Sequence, residues 1–434
     1  MRAPPAAARR PRKHLWWRWR WLAMAGGSGS RKRKARRMRK PRPDPTALLT
    51  DDLLVEILAR VLYRDLCRFR CVSKRWSALI SDPDNRRRLP QTLTGIFYPM
   101  PLDPDDAGSQ ALTPHGYGFT NVSGTGPPFI HPSFSFLPDR ERVGLELVDC
   151  CNGLILCRCF RFADDHEFHY LVLNPATEEW VAVPVTRRWS TKLQTVRLGF
   201  DPAVSPHFYV FEFELNEDYD EDYNDDDWDG HVVRVKIYSS GTGFWIDKEN
   251  GWTLCMLLPM DFKSVFLDGV LYVIAIQGII GVVDVEGRTW RIIEFPDPRS
   301  EIFPFNRTDV GFIDLFQGQL HFATDGRIGH SIHSLEIWVL EDKESEEWTL
   351  KHTVCFEFLL GRKREFGFRD FIVVVIHSDR NMVFFVCGRE RTLMSYDMDR
   401  WEGHIIRNLG YSEIEHFLPY VPLLPKSLPD CGNQ

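Results

Sequence analysis

Residues 267–290, LDGVLYVIAIQGIIGVVDVEGRTW, carry the pattern that decides the fold of most of this chain. An Asp-Gly turn at Asp268 precedes an apolar run, and a second apolar run leads to a polar turn and Trp290. Short runs rich in Val, Ile and Tyr between Gly and Asp turns are typical of β-strands, and helical periodicity is absent. The stretch therefore predicts antiparallel strands joined by tight turns.

The same pattern recurs along the chain as a degenerate internal repeat. Its turn-and-strand element begins at Cys151, Leu267, Phe316 and Ser378, and its strand–turn–Trp element ends at Trp180, Trp245, Trp290, Trp348 and Trp401. The steps between these tryptophans are 65, 45, 58 and 53 residues, which fits propeller blades of ~40–50 residues with insertions. Five units are explicit and residues 95–145 predict another. We therefore expect a kelch-like β-propeller of about six or more blades.

Residues 46–90 have a helical pattern instead. Thr50 can cap a helix that opens with two acids, and apolar residues then recur at helical spacing from Leu53 to Val61. A second amphipathic stretch begins at Asp65, and Ser73 can cap a third. Three helices in so short a segment make a core too small to be stable alone, so apolar surface on this unit is expected to meet a partner.

Charge is divided sharply along the chain. Residues 1–43 hold 16 Lys and Arg and no acid, so the remainder, with 38 basic and 60 acidic residues, carries −22. We expect residues 1–45 to form a disordered basic arm. The sequence from Met24 looks like an ordinary translation start, so we expect residues 1–23 to be an extension upstream of it. Nine acids fall within residues 217–229 and would favour basic partners at a binding rim. A dense basic run predicts nuclear import, and hence a location in the nucleus and/or cytoplasm, through Arg31, Lys32, Arg33, Lys34, Arg36, Arg37, Arg39 and Lys40. The alternative for this run is a solvated basic tail with no dedicated receptor.

Membrane, metal and catalytic functions find little support in the sequence. The longest uncharged apolar run, 270–283, is shorter than the ~20 residues of a membrane helix and fits two buried strands. The acidic run at 225–230 has Lys236 where a calcium loop needs its last Glu. No nucleophile elbow, phosphate loop, dinucleotide fingerprint or HExxH motif occurs, so we predict no catalytic residue and no cofactor. Alternation along a strand separates neighbouring ligands and no CxxC occurs, so no zinc site is predicted among Cys150, Cys151, Cys157, Cys159, His166 and His169.

Two parts of the chain resemble known families. The segment from Leu49 to Pro83, with Val-Ser-Lys-Arg-Trp at 72–76, resembles the F-box. The remainder is similar to the F-box-associated β-domain of plant F-box proteins, in CNGL at 151–154, LNPAT at 173–177, LGFDP at 198–202 and FLPYVP at 417–422. The resemblance covers about residues 46–425. It implies an arm at 1–45, an F-box module at 46–90, a β-propeller domain at 95–425 and a tail at 426–434.

The resemblance implies a non-catalytic substrate receptor of a Skp–cullin–F-box ubiquitin ligase. The helical module would dock on a Skp-type adaptor and through it a cullin, while the β-domain would hold an unidentified protein target. We expect the apolar residues that match the adaptor-binding positions to divide between the helical core and the adaptor interface. These residues are Leu49, Leu53, Leu54, Ile57, Leu58, Leu66, Val72 and Trp76.

Two features leave alternatives open. Thr50 and Leu62 stand where the F-box usually has prolines; Thr50 can replace one as an N-cap, whereas Leu62 removes a helix stop and allows one more turn. The alternative function is a nuclear nucleic-acid or chromatin binder. Arg18 and Arg20 would neutralise phosphate between tryptophans at 16, 17, 19 and 21 that stack on bases. The acidic body disfavours that alternative.

Overall fold

The structure is a computed structural model that describes most of the chain beyond Leu49. The described residues are 49–61, 69, 72–82, 85, 93–100, 116–126, 128–142, 144–160, 168–184, 195–216, 231–259, 262–276, 278–296, 311–328, 331–342, 346–360, 371–377, 380–388, 390–411 and 416–423. The basic run at 31–40, Leu62, Leu66 and the acidic residues 217–229 lie outside them. Within these ranges no helix has the length and apolar character needed to cross a membrane.

The described residues form few helices and many strands. The helices are α1 (Asp51–Leu58), α2 (Lys74–Ser81), α3 (Asp139–Arg142) and α4 (Phe356–Leu360). The strands are β1 (Gly95–Pro99), β2 (Tyr117–Asn121), β3 (Leu145–Cys151), β4 (Leu154–Phe160), β5 (Phe168–Asn174), β6 (Glu179–Ala182), β7 (Thr195–Gly199), β8 (Tyr209–Leu215), β9 (Val232–Ser239), β10 (Phe244–Glu249), β11 (Ser264–Leu267), β12 (Val270–Ala275), β13 (Ile279–Asp284), β14 (Trp290–Glu294), β15 (Phe312–Phe316), β16 (Gln319–Ile328), β17 (Ser331–Asp342), β18 (Glu347–Cys355), β19 (Phe371–Ile376), β20 (Met382–Cys387), β21 (Thr392–Asp397), β22 (Glu402–Asn408) and β23 (Leu418–Tyr420).

The strands form six antiparallel sheets, which are the blades of a propeller. Blades 1 to 5 are β3–β6, β7–β10, β11–β14, β15–β18 and β19–β22, each a four-stranded meander. Blade 6 has the order β2-β1-β23, so it joins the first two strands of the domain to its last one. The inner strands β3, β7, β11, β15, β19 and β23 contact one another in sequence, and β23 contacts β3 to close the ring. The predicted propeller is confirmed, and its described blades number six.

The core consists of six apolar layers, one between each pair of adjacent blades. Residues that alternate along a strand face opposite layers, as the period of two requires. In β4, for example, Leu156 packs toward blade 2 and Cys157 toward blade 6. Most blade strands are consequently buried on both faces, which explains why the strand at 270–275 is continuously apolar.

The repeat motifs lie at equivalent places in the blades. The Asn152-Gly153, Asp268-Gly269 and Gln317-Gly318 pairs join inner strands to second strands with positive φ at both residues, as a type I′ hairpin turn requires. The repeat tryptophans lie in or just before the outermost strands. Two of them join neighbouring blades: Trp245 Nε1 donates to the Pro184 carbonyl at 2.6 Å and Trp348 Nε1 to the Glu294 carbonyl at 2.9 Å.

The first helix is shorter than the sequence allowed. The predicted cap is present, because the Thr50 hydroxyl accepts a hydrogen bond from the Leu53 N–H. The regular helix ends at Leu58; the Ala59 N–H still bonds four residues back to Val55, but the Arg60 and Val61 N–H groups bond three residues back, to Ile57 and Leu58. This tight final turn ends α1 without a proline, so the extension by one turn does not occur.

Candidate functional site

Helix α1 carries an apolar stripe that faces solvent. Leu53 is 52% exposed and Ile57 is 46% exposed. Residues four apart lie on one side of a helix, so these two side chains are neighbours. The opposite side of α1 is buried through Leu54, Val55 and Leu58. The helix thus has two apolar faces, of which only one is covered within the described residues.

A small cluster holds α1 against α2. Leu58 is fully buried and packs with Trp76, whose ring lies edge-on to Phe69 at 5.2 Å. The Ser73 hydroxyl caps α2 by accepting from the Trp76 N–H at 3.1 Å, as predicted. Arg75 donates to Asp51 at 2.8 Å and so joins the two helix N-terminal turns. These contacts fix the orientation of the exposed stripe.

The residues matched to the adaptor-binding positions fall into three groups. Leu53, Ile57 and Val72 are exposed, the last by 61%. Leu54 and Leu58 are buried, and Leu49 and Trp76 are partly buried. Leu66 and the basic run at 31–40 lie outside the described residues. Helical spacing alone could not separate the exposed pair from the buried pair, because both pairs are four residues apart.

In the β-domain, a buried carboxylate joins three blades. Asp149 of β3 is 5% exposed, and its Oδ1 accepts from the Cys150 N–H at 2.8 Å. Its Oδ2 accepts from the Leu198 N–H of blade 2 at 2.8 Å and from the Ser264 hydroxyl of blade 3 at 3.2 Å. The carboxylate is therefore saturated with donors and serves as a structural link between blades.

Asp314 of β15 repeats this arrangement on the other side of blade 3. It also lies three residues before its hairpin turn and accepts from the next backbone N–H, that of Leu315, at 2.9 Å. Its second oxygen accepts from the Ile376 N–H of blade 5 at 3.0 Å. Lys263, just before β11, adds an ion pair of 2.6 Å. Sequence reasoning missed both aspartates, although an acid inside an otherwise apolar strand is a readable signal for a buried role.

A second buried polar network lies between blades 1 and 2. Arg158 of β4 forms an ion pair with Glu146 at 3.0 Å, and Lys236 of β9 lies 3.4 Å from Glu212. Burial raises the pKa of Glu212, and the Lys236 ammonium only partly opposes that effect. Each cation faces a carboxylate, so the network pairs its buried charges within the blades.

The outer side of blades 4 and 5 exposes a patch of aromatic side chains. Phe358 of α4 is 59% exposed and Trp401 is 50% exposed, and the centroids of their rings are 6.4 Å apart. The His352 ring lies 4.7 Å from the same tryptophan. Trp401 ends the repeat series, yet half of its surface faces solvent. We call Phe358, Trp401 and His352 the aromatic patch.

Acid is expected to destabilise the protein through His377. This side chain is 4% exposed, and burial, with a smaller effect from Arg380, lowers its pKa from about 6.5 to about 4. Between these values the unfolded chain binds more protons than the folded one, so stability is complete above pH 6.5 and falls as the pH drops toward 4. We expect a loss of up to about 1.4 kcal/mol per pH unit from this residue. Urea unfolding from pH 7 to 5 measures it.

The matched variants are His377→Gln, which should flatten this slope, and His404→Gln on the exposed face of β22, which should leave it unchanged. An unaltered slope in His377→Gln would contradict the assignment. His321 and His352 also have pKa values lowered by burial, so a smaller slope of the same sign should remain.

Comparisons with known proteins agree with this architecture. Residues 47–88 match the F-box domain family, and residues 129–414 match the family described as F-box protein At3g26010-like, beta-propeller. The chain is 25% identical over 357 residues to F-box protein At5g07610 of Arabidopsis thaliana, covering 77% of this chain and 76% of that protein. It is also 25% identical over 336 residues to F-box protein At2g23160 of the same organism, covering 68% of this chain and 97% of that one.

The family match that spans the propeller includes blades 1 to 5, and the F-box match includes the helices that carry the exposed stripe. The chain belongs to the F-box proteins that have an At3g26010-like β-propeller.

Proposed function

We propose that this protein is the substrate-recognition subunit of a Skp–cullin–F-box ubiquitin ligase. The helical module binds a Skp-type adaptor, and the propeller binds the protein to be ubiquitinated. The observation that carries the proposal is the exposed apolar stripe of Leu53 and Ile57 on a helix that lies within the F-box match. Such a stripe fits a helix-in-groove contact with another protein.

Burial of the exposed apolar residues of the helical module would stabilise a complex with a partner protein. Full burial of a Leu or Ile side chain contributes about 1.5–3 kcal/mol, so covering the half-exposed Leu53, Ile57 and Val72 is worth a few kcal/mol. Leu54 and Leu58 act differently, since they are already buried and hold the helix in place. Variants of the exposed residues therefore test binding, whereas variants of Leu58 or Trp76 test folding.

The buried carboxylates of the described β-domain have structural partners. Asp149 and Asp314 are occupied by backbone donors, and Glu212 faces Lys236. The aromatic patch is the surface that we propose for target contact, because large exposed aromatic side chains supply most of the binding energy at protein interfaces.

The proposal predicts that adaptor and target binding are lost separately. Leu53→Asp/Ile57→Asp should reduce co-purification of the adaptor at least about 100-fold, since two buried interface side chains are replaced by charges. The same variant should retain its targets. Phe358→Ala/Trp401→Ala should lose targets and retain the adaptor. Affinity purification of the full chain from cells with the proteasome blocked, followed by quantitative mass spectrometry, measures both.

Matched controls come from exposed apolar residues of blade 2. Val204→Asp introduces a charge at a position that is 55% exposed, and Phe244→Ala removes an aromatic ring that is 74% exposed. Both should keep adaptor and targets at the level of the unmodified chain. Retained adaptor binding by Leu53→Asp/Ile57→Asp would refute the docking face, and unchanged targets in the Phe358→Ala/Trp401→Ala variant would refute the aromatic patch alone.

A further inference from the structure

Three potential metal ligands from separate elements meet beside blade 1. They are Glu141 of α3, Cys159 of β4 and His169 of β5, and their ligand atoms all lie within 4.8 Å of one another. Cys159 and His169 are directly opposite each other in the β4–β5 ladder. Glu141 Oε2 lies 2.9 Å from His169 Nε2. The cluster is thus held in place by the sheet on one side and by the Glu141–His169 contact on the other.

We propose that Glu141, Cys159 and His169 bind a zinc ion. The set of one sulfur, one nitrogen and one oxygen ligand is typical of Zn²⁺, which takes such ligands at ~2.0–2.3 Å. Bonds of that length place tetrahedral ligands roughly 3.5 Å apart, so side-chain rotations are enough to close the present separations. The backbone of the β4–β5 hairpin need not move.

The electrostatics of the cluster favour a divalent cation. Cys159 is 1% exposed and the Glu141 side chain is 9% exposed, so the thiolate that forms on metal binding and the carboxylate would both lie beside the cation and away from water. A Zn²⁺ ion bound to these two anions and to a neutral imidazole gives a site with no net charge. The His169 side chain is 31% exposed, which leaves a solvent-facing side for entry and for a water as fourth ligand.

Metal binding would replace the thiol proton of Cys159 and the present Glu141–His169 contact. Because the thiolate is the form of cysteine that binds a metal, uptake of the ion would release the thiol proton to solvent. The bound ion would join α3, which leads into the inner strand of blade 1, to the second and third strands of that blade. This link would reinforce blade 1.

Ligands that follow one another along a single strand point to opposite faces of the sheet, so they cannot bind one ion together. The proposed ligands are instead brought together across two strands, where residues ten apart in sequence become direct neighbours. The pairing of Cys159 with His169 depends on the register between β4 and β5, which the spacing of residues along the sequence does not specify.

Cobalt(II) tests the proposal, because it replaces zinc and reports a thiolate ligand by charge-transfer absorption in the near ultraviolet. Titration of the full, metal-stripped chain should give this band with a stoichiometry of about one, and zinc should abolish it. Cys159→Ser and His169→Ala should each remove the band. Cys157→Ser is the matched control, since Cys157 is equally buried in the same strand but lies outside the cluster, and it should keep the band.

Stability gives a second measurement on the same proteins. Zinc should raise the melting temperature of the unmodified chain and of Cys157→Ser, and a chelator should reverse the increase. His169→Ala, which alters a partly exposed side chain, should fold and show no increase. Absence of the cobalt band in the unmodified chain, or its persistence in Cys159→Ser, would overturn the proposal. Neither outcome affects adaptor binding, so failure of the zinc proposal is distinguishable from failure of the proposed function.

Discussion

Asp149→Asn is expected to lower the free energy of unfolding of the β-domain by about 2–4 kcal/mol. Each carboxylate oxygen of Asp149 accepts a backbone N–H, from Cys150 on one side and from Leu198 on the other. An asparagine has a single acceptor oxygen, so its amide nitrogen must face a backbone donor. One buried N–H then loses its partner, and the charge that strengthened both bonds is also lost. Denaturant unfolding followed by tryptophan fluorescence measures the change.

Asp284→Asn is the matched control for this prediction. Asp284 accepts three hydrogen bonds from backbone N–H groups, those of Glu286, Arg288 and Thr289, whereas Asp149 accepts two from backbone N–H groups and one from a hydroxyl, and all three donors to Asp284 lie within its own hairpin. Burial alone would raise the pKa of Asp284, but the hydrogen bond with the Thr289 side chain and the three backbone N–H bonds outweigh burial and lower it. Its replacement should cost roughly 1 kcal/mol, because water can reach this turn. Equal losses in the two variants would show that contacts between blades add nothing to the effect of Asp149.

Gly153→Ala is expected to cost about 3–5 kcal/mol, because two penalties combine at this turn. Gly153 has a φ of 89°, which a residue with a Cβ atom adopts at a cost. An added Cβ would also lie 2.5 Å from the Val421 carbonyl oxygen and 2.6 Å from the Leu423 backbone nitrogen. These atoms belong to the segment that follows β23, so the substitution would push the last strand away from blade 1.

Gly269→Ala separates the two penalties. Gly269 occupies the same position in the turn of blade 3 with a φ of 79°, and an added Cβ there would have no neighbour within 4 Å. Its cost should be the backbone strain alone, about 1–2 kcal/mol. The difference between the two variants then measures the closure contact. Similar losses of unfolding free energy in the two variants would mean that Val421 and Leu423 move away from the added Cβ atom at no measurable cost.

Much of the fold could be predicted from the sequence, because its signals are local. An Asn-Gly or Asp-Gly pair specifies a hairpin through its own backbone preferences, and the repeat tryptophans mark outermost strands. Local signals of this kind do not predict which strands combine to form blade 6. The pairing of Gly95 with Tyr420 depends on closure of the whole ring, for which no residue near either strand carries a local signal.

The candidate site could be predicted only in part, for a similar reason. Helical spacing identified the apolar positions of α1 but could not say that Leu53 and Ile57 face outward while Leu54 and Leu58 pack inward. That choice depends on the partners Phe69 and Trp76, which belong to other parts of the module. Val55 was also missed as a core residue. The roles of Asp149 and Asp314 became visible only with the neighbouring blades in place.

The composite blade 6 determines when the protein can finish folding during its synthesis. A ribosome releases residues 418–420 after the rest of the propeller, and the Thr94–Tyr420 hydrogen bonds join positions 326 residues apart. Until then β1 lacks the neighbour that forms the innermost strand of its blade, and the ring stays open between β3 and β19. The helical module is translated first, near the start of the chain. A nascent copy therefore carries its helical module well before it has a closed propeller, and a stop codon shortly before residue 418 would leave the helical module attached to an open propeller.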